Sequence, residues 1–387
     1  MTHLLIIIIY LAFVSLGLPD AVFGGSWPTM YQEFEVPVSF AGIVTVIISL
    51  GTIVSSLQSD RMTYKLGTGK VTAISVATTA VALFGFSMSH SFIELCLWAI
   101  PYGLGAGGVD ASLNNYVAVH YSSRVMSWLH CMWGVGAMTG PYVLGFVLTG
   151  GGIWNTGYKI IALMQVVLTI VLIISLPLWK KREVVIDEKG QEVPAQALTM
   201  KEILSIKGAK DIMIAFFCYC ALEQTAGLWA SSYMVLHKGV PETVAASYAS
   251  MFYIGITAGR FFSGFLTMKY NDKQMIRLGM AILAVGVGVL FLPLSEYFAL
   301  TGFILVGIGC APIYPCIIHS TPDIFGADKS QAIVGVQMAS AYMGSLLMPS
   351  VFGILANHIT VALLPLYLCV ILVLMVVMYE RLVRLTL

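Results

Sequence analysis

The sequence predicts an all-α membrane protein: twelve transmembrane helices in two pseudo-symmetric six-helix bundles. Three observations predict it: a composition too poor in charge to face water, twelve apolar stretches of spanning length, and motifs that recur six spans apart. Of the 387 residues, 58% are hydrophobic and 10% charged, whereas a water-soluble chain carries about a quarter charged residues. The outer face is therefore expected to meet membrane lipid. A formal net charge of +1 gives no basic surface for nucleic acid, so none is expected as a partner. The seven cysteines are scattered through apolar stretches, and only Cys218 and Cys220 lie close together. That is neither metal-ligand nor disulfide spacing, so no metal or cofactor is expected.

A bilayer core about 30 Å thick requires roughly 20 apolar residues per helix. The pattern predicts spans near 4–31, 38–58, 70–89, 92–119, 125–149, 158–179, 210–236, 243–268, 275–293, 297–319, 330–356 and 361–380. The first is too long for the apolar core of a signal peptide and has no basic region before it, so it is expected to be retained. With both termini cytoplasmic, the basic residues from Arg61 through the Lys180-Lys181-Arg182 cluster to Arg384 fall inside, leaving only Lys159 and Lys238 outside and Arg260 within a helix. This asymmetry fixes the expected orientation. Short outer loops and a short middle loop favour a prokaryotic cell membrane.

The longest polar stretch separates the sixth and seventh spans. It divides the chain into an expected first bundle (1–179), a cytoplasmic linker (180–208) and a second bundle (209–387). The halves echo each other. The fifth span carries Gly136, Pro141 and Gly145, and the eleventh carries Gly344, Pro349 and Gly353 at identical spacing. The first has Asp20, Trp27 and Tyr31; the seventh has Glu223, Trp229 and Tyr233. Gly103 and Gly105 in the fourth match Gly307 and Gly309 in the tenth. Two similar bundles can rock about a midplane site and expose it to each side in turn, with small residues permitting close helix packing.

Ser59-Asp60-Arg61-Met62-Thr63-Tyr64-Lys65-Leu66-Gly67 resembles a weakened form of the Gly-x-Leu-x-Asp-Arg-x-Gly-Arg loop of the major facilitator superfamily. Asp60 and Arg61 stand at the expected positions, Ser56 replaces the opening glycine, and the later Gly-Arg is displaced to Leu66-Gly67-Thr68-Gly69-Lys70. In that superfamily the loop makes charge contacts that hold the inward-closed state, which makes Asp60 and Arg61 gating candidates. The acidic fourth span, Gly103 through Asp110 to Asn115, is similar to the fucose and glucose permease branch of sugar:proton symporters. Those permeases carry an acid here and another on the first span, where this chain has Asp20. Trp128-Leu129-His130 and Ala221-Leu222-Glu223-Gln224 also fit, while Gly17-Leu18-Pro19-Asp20 lacks the Asn-Asp pair of some fucose permeases.

Asp20, Asp110 and Glu223 each fall near the middle of a span, where a charge costs about 2.5–3.5 kcal/mol even on the lenient insertion scale. They are the candidates for binding a coupling proton, or sodium if further oxygen ligands assemble. The alternative is a structural hydrogen bond with the acid permanently protonated. Asn114 lies four residues after Asp110 and so shares its helix face; with Asn115, Gln224 and Gln337 it is a candidate for binding substrate hydroxyls. Trp27, Trp133, Trp229 and Tyr314 are candidate walls for a sugar ring, set against the interfacial preference of aromatic residues. His130 is read as a gating residue or a proton relay, set against a surface or packing role. Arg260 is read as the brace of an inner gate, paired with an acid or with helix-end carbonyls.

Gly103-Leu104-Gly105-Ala106-Gly107-Gly108 matches a dinucleotide fingerprint but lies inside a span, without the strand–turn–helix context that motif needs. Gly136-Ala137-Met138-Thr139-Gly140-Pro141 partly matches the fifth-helix motif of drug/proton antiporters and is read mainly as packing. No Ser-His-Asp grouping, metal cluster or nucleotide loop appears in a polar segment, so no catalysis is expected. The leading expectation is a monomeric secondary transporter working by alternating access, taking up a monosaccharide or similar small polar solute with protons. Proton-coupled efflux of amphipathic compounds is the main rival, supported by 20 methionines, which suit adaptable apolar pockets. A non-transporting sensor or scaffold is a third reading, for which the loops are short.

Overall fold

The computed structural model describes residues 2–20, 22–179, 185–186, 192–193 and 197–386. Much of the charged linker, including Lys180-Lys181-Arg182 and Asp187-Glu188-Lys189, lies outside the described residues. The first span is formed by α1 (Thr2–Asp20) and α2 (Val22–Glu33), followed by α3 (Ala41–Leu66), α4 (Thr68–Met88), α5 (Phe92–His120), α6 (Ser123–Thr149) and α7 (Trp154–Ser175). A two-stranded antiparallel ladder, β1 (Val185–Ile186) and β2 (Glu192–Val193), and the short α8 (Met200–Ser205) fall between the sixth and seventh spans. The second series is α9 (Ala209–Leu236), α10 (Glu242–Leu266), α11 (Asp272–Leu290), α12 (Glu296–Phe325), α13 (Ala327–His358) and α14 (Leu364–Thr386). Among the described residues, eleven helical spans are long and apolar enough to cross a bilayer, and α10 is the twelfth span of the fold. The protein is an all-α, multi-pass membrane protein.

Polarity is inverted relative to a soluble domain. Phe146 is 82% and Ile174 73% exposed, burial that a water-soluble protein would not forgo at about 25 cal/mol per Å². Asp60, Asp110, Asn114, His130, Arg260 and Gln337 are buried instead. α8 is opened by a capping box in which Thr199 and Glu202 satisfy each other's backbone N–H groups. The Thr199 hydrogen bonds hold the exposed Glu202 carboxyl below its usual range.

One local expectation is corrected. The stretch after the second span, read as a loop from Ser59 to Gly67, is helical through Leu66. Nothing in Asp60–Leu66 breaks a helix, and the turn is made by Gly67 alone at φ +79°, a conformation that costs glycine nothing.

The chain forms two compact units. One comprises Met1–Tyr116, Leu129–Leu198 and Ala327–Ala339, the other Val117–Trp128, Thr199–Gly326 and Ser340–Leu387. Within them the sequence repeat becomes a repeat of contacts. A Cβ at Gly136 of α6 would run into the Val14 carbonyl oxygen of α1, and one at Gly344 of α13 into the Phe217 carbonyl oxygen of α9. Likewise Gly103 of α5 abuts the Ile48 carbonyl of α3, and Gly307 of α12 the Phe252 carbonyl of α10. Span five thus meets span one as eleven meets seven, and four meets two as ten meets eight. The glycines of the antiporter-like stretch are spent on this seam, since Gly140 abuts the Leu18 carbonyl in the same way. Gly136→Leu is expected to lower the thermal unfolding midpoint, with a cost at or above the 1–3 kcal/mol typical of overpacking, because backbone cannot yield as a side chain can (about that range).

Candidate functional site

The first unit carries two polar chains built on its acids. Asp20 ends α1, and its carboxylate reaches two other helices of the same unit. Oδ1 accepts a hydrogen bond from the Tyr102 hydroxyl of α5 at 3.1 Å, and Oδ2 one from Trp133 Nε1 of α6 at 3.0 Å. The side chain therefore faces neighbouring helices rather than lipid, and the residue remains exposed to open space. Hydrogen bonds to a charged group contribute about 1.5–3 kcal/mol each. Two of them, about 3–6 kcal/mol together, meet or exceed the roughly 2.5–3.5 kcal/mol that a mid-membrane charge costs.

Asp110 lies eight residues further along α5 than Tyr102 and is 5% exposed. Asn114 Nδ2 donates to its Oδ1 at 2.8 Å, and Asn114 Oδ1 lies 2.9 Å from His130 Nε2 of α6. An amide oxygen only accepts, so in this arrangement His130 Nε2 carries the hydrogen. The Phe13 ring of α1 meets His130 edge-on, with centroids 5.4 Å apart. The predicted shared face of Asp110 and Asn114 is real, but the amide is fully buried and both its ends are engaged within the unit. Asn114 thus holds the acid in place rather than reaching for a solute. Asn115, one residue on, faces another way and accepts from the Ser330 hydroxyl at the start of α13.

The second unit treats its acid differently. Glu223 Oε1 of α9 lies 3.5 Å from Arg260 NH2 of α10, with both side chains largely buried. Tyr314 of α12 packs beside the pair, its ring 4.7 Å from Phe216 and 5.9 Å from Tyr219. Arg260 has the acidic partner expected of it. Gln224 is exposed, whereas Gln337 is fully buried in α13.

Two of the expected aromatic walls are packing groups. Trp27 is buried in a hydrophobic core cluster of the first unit that includes Leu18, Phe86 and Tyr158, with Nε1 donating to the Val38 carbonyl at 2.7 Å. Trp229 donates Nε1 to the Pro349 carbonyl at 3.0 Å and stacks edge-on against Phe352. Each indole ties a span to its neighbour. Trp27→Phe is expected to cost about 0.5–1.5 kcal/mol, the net worth of one hydrogen bond, in a denaturation assay while leaving the Michaelis constant for solute unchanged.

Of the gating candidates, Asp60 is buried and its Oδ2 accepts from the Leu198 backbone N–H at 3.1 Å, while Arg61 is exposed. The structure adds Tyr102 and Tyr219, which the sequence did not single out. Tyr102 precedes Asp110 by eight residues and Tyr219 precedes Glu223 by four, spacings that share a helix face and could have flagged both. His319 of α12 is a bridge: Nδ1 lies 2.6 Å from Asp272 Oδ2 at the start of α11, and Nε2 2.9 Å from the Tyr121 carbonyl. Ser123 donates to the other oxygen of Asp272.

The family model described as Major Facilitator Superfamily matches residues 9–243 and again 212–386. The chain belongs to the major facilitator superfamily. Its relatives in that superfamily are distant. The Bypass of stop codon protein 6 of Saccharomyces cerevisiae is 21% identical over 397 residues, 95% of this chain and 80% of that one. The glucose/mannose transporter GlcP of Bacillus subtilis is 21% identical over 360 residues, covering 92% and 88%. Among solved structures, the Escherichia coli fucose:proton symporter FucP superposes with a TM-score of 0.77 at 15% identity, covering 97% of this chain and 98% of that one. At such identity the structural likeness establishes the fold, which is the twelve-helix fold of the superfamily. This chain is accordingly a membrane transporter and not an enzyme.

Proposed function

We propose that the protein takes up a monosaccharide or a similarly hydroxylated small solute together with a proton. The observation that carries the reading is the Asp20 carboxylate, exposed yet held between Tyr102 Oη and Trp133 Nε1. A cation such as sodium needs several oxygen ligands around it. Asp20 is instead met by an N–H and an O–H, donors that suit a carboxylate able to lose and regain a proton. The half-buried Trp133 offers a ring face next to that acid, and a sugar presents C–H faces to rings and hydroxyls to carboxylates. The similarity to GlcP and FucP supports the same solute class. Asp110, with Asn114 and His130, is the second proton-linked group in this reading, and Glu223–Arg260 a brace. The halves 1–179 and 209–387, joined by 180–208, would be the moving bodies, with both termini cytoplasmic.

The test is uptake of labelled glucose, mannose, fucose and xylose into proteoliposomes, with and without an inward proton gradient. Accumulation above the outside concentration only with the gradient is the expected result. Equal uptake in both conditions for every sugar would overturn the coupling, and no uptake at all the solute class.

A further inference from the structure

We propose that Asn114 is an amide switch, turning over when Asp110 takes up a proton and changing which nitrogen of His130 carries its hydrogen. This deepens the proposed function and rests on its reading of Asp110 as proton-linked. The three groups are consecutive links of one chain, buried at 5% exposure for Asp110 and His130 and none for Asn114. Buried polar groups of this kind keep donors facing acceptors, because leaving one unmatched costs its full desolvation.

An amide has an acceptor end and a donor end, so its orientation encodes the state of both neighbours. In the structure Nδ2 donates to Asp110 Oδ1 and Oδ1 of the amide faces His130 Nε2, which requires an acceptor oxygen on Asp110 and an Nε2–H on the imidazole. Suppose a proton from the aqueous pathway forms an O–H bond on Asp110 Oδ1, the oxygen that Asn114 faces. That oxygen then donates, and the present orientation sets donor against donor. Turning the amide by about 180°, the symmetry of a planar carboxamide, presents Oδ1 to the carboxyl O–H and an N–H to Nε2. His130 must then be the Nδ1–H tautomer: the Nε2 proton leaves to water of the aqueous pathway, and Nδ1 takes one from the same source. The net change is the single proton on Asp110, and both states satisfy every link described. His130 and Asn114 are therefore positioning residues for the proton on Asp110. Of the other titratable groups, Asp20 on α1 lies within electrostatic reach of Asp110. Cys131 follows His130 directly on α6, and Tyr116 follows Asn114 by two residues on α5.

The test is infrared difference spectroscopy of the purified full-length protein between acid and neutral pH, with and without carbon-13 asparagine. The expected spectrum has a protonated-carboxyl band and an asparagine carbonyl shift that rise together at one midpoint, both lost in Asp110→Asn. His130→Gln, which keeps an N–H and an acceptor, retains the pairing. His130→Phe keeps the carboxyl band, loses the amide shift, and lowers proton-driven uptake by up to about tenfold, the upper worth of one hydrogen bond between neutral groups. A carboxyl band without an asparagine shift in the unmodified protein overturns the switch, as does an asparagine shift that survives Asp110→Asn or the absence of any Asp110 band. The first of these outcomes is read on the unmodified protein alone, so the switch stays falsifiable even where Asp110→Asn fails to fold. Sugar accumulation is scored separately. Paired bands without gradient-driven uptake would refute the proposed function and keep the switch, and the reverse pattern would do the opposite.

Discussion

Asp20→Asn is expected to bring the sugar accumulation ratio in proteoliposomes down to one while leaving sugar-for-sugar exchange in place. The carboxamide keeps the size of the side chain and an oxygen to accept from Tyr102 or Trp133, so the helix contacts survive. What it cannot do is gain and lose a proton, and without that the gradient has no handle on the transport cycle. Exchange needs only the loaded carrier to reorient. The measurement is therefore a pair: gradient-driven accumulation and counterflow on the same preparation. Loss of both would make Asp20 a structural or solute-binding residue. Retention of both would remove it from coupling and take the proposed function with it. Tyr102→Phe, which deletes one donor, is expected to lie between the two in accumulation.

The second large effect is on stability. Arg260→Met leaves Glu223 without the guanidinium 3.5 Å away, and an uncompensated buried charge costs about 3–5 kcal/mol. A sharp fall in folded yield and thermal midpoint is expected. Adding Glu223→Gln to Arg260→Met removes the stranded charge, and replacing both partners of a buried pair is often near neutral. The double variant should therefore be more stable than Arg260→Met alone, by most of that loss. A double variant no better than the single would mean that Arg260 acts through Tyr219 and Tyr314 rather than through Glu223.

These two acids stand at equivalent places in the sequence repeat and have diverged in chemistry. Asp20 is met by neutral donors and stays exposed; Glu223 is met by a fixed positive charge and is largely buried. The backbone seams around them did not diverge, since Gly136 with Val14 and Gly344 with Phe217 make the same contact. A duplicated bundle can keep its packing while the acid of one copy stays exposed and that of the other lies against an arginine.

The sequence by itself determined the membrane class, the twelve spans and the glycine seams. Each follows from one-dimensional facts: how many apolar residues cross a bilayer, where basic residues fall, and which small residues recur six spans apart. It also put Asp110 and Asn114 on one face, because helical spacing is local. Only the tertiary structure decided what each polar or aromatic group touches. Trp27 and Trp229 have the composition of a sugar-binding wall, yet their indole N–H groups end on the Val38 and Pro349 carbonyls. Asn114 looked like a solute-binding amide and is instead the link between Asp110 and His130. Tyr102 and Trp133 converge on Asp20 from two other helices, 82 and 113 residues away in the chain. A carboxylate in an apolar span must find partners somewhere, and the energy of the bilayer makes that need readable in sequence. Which helix supplies them depends on how the bundle closes, and no local pattern records that.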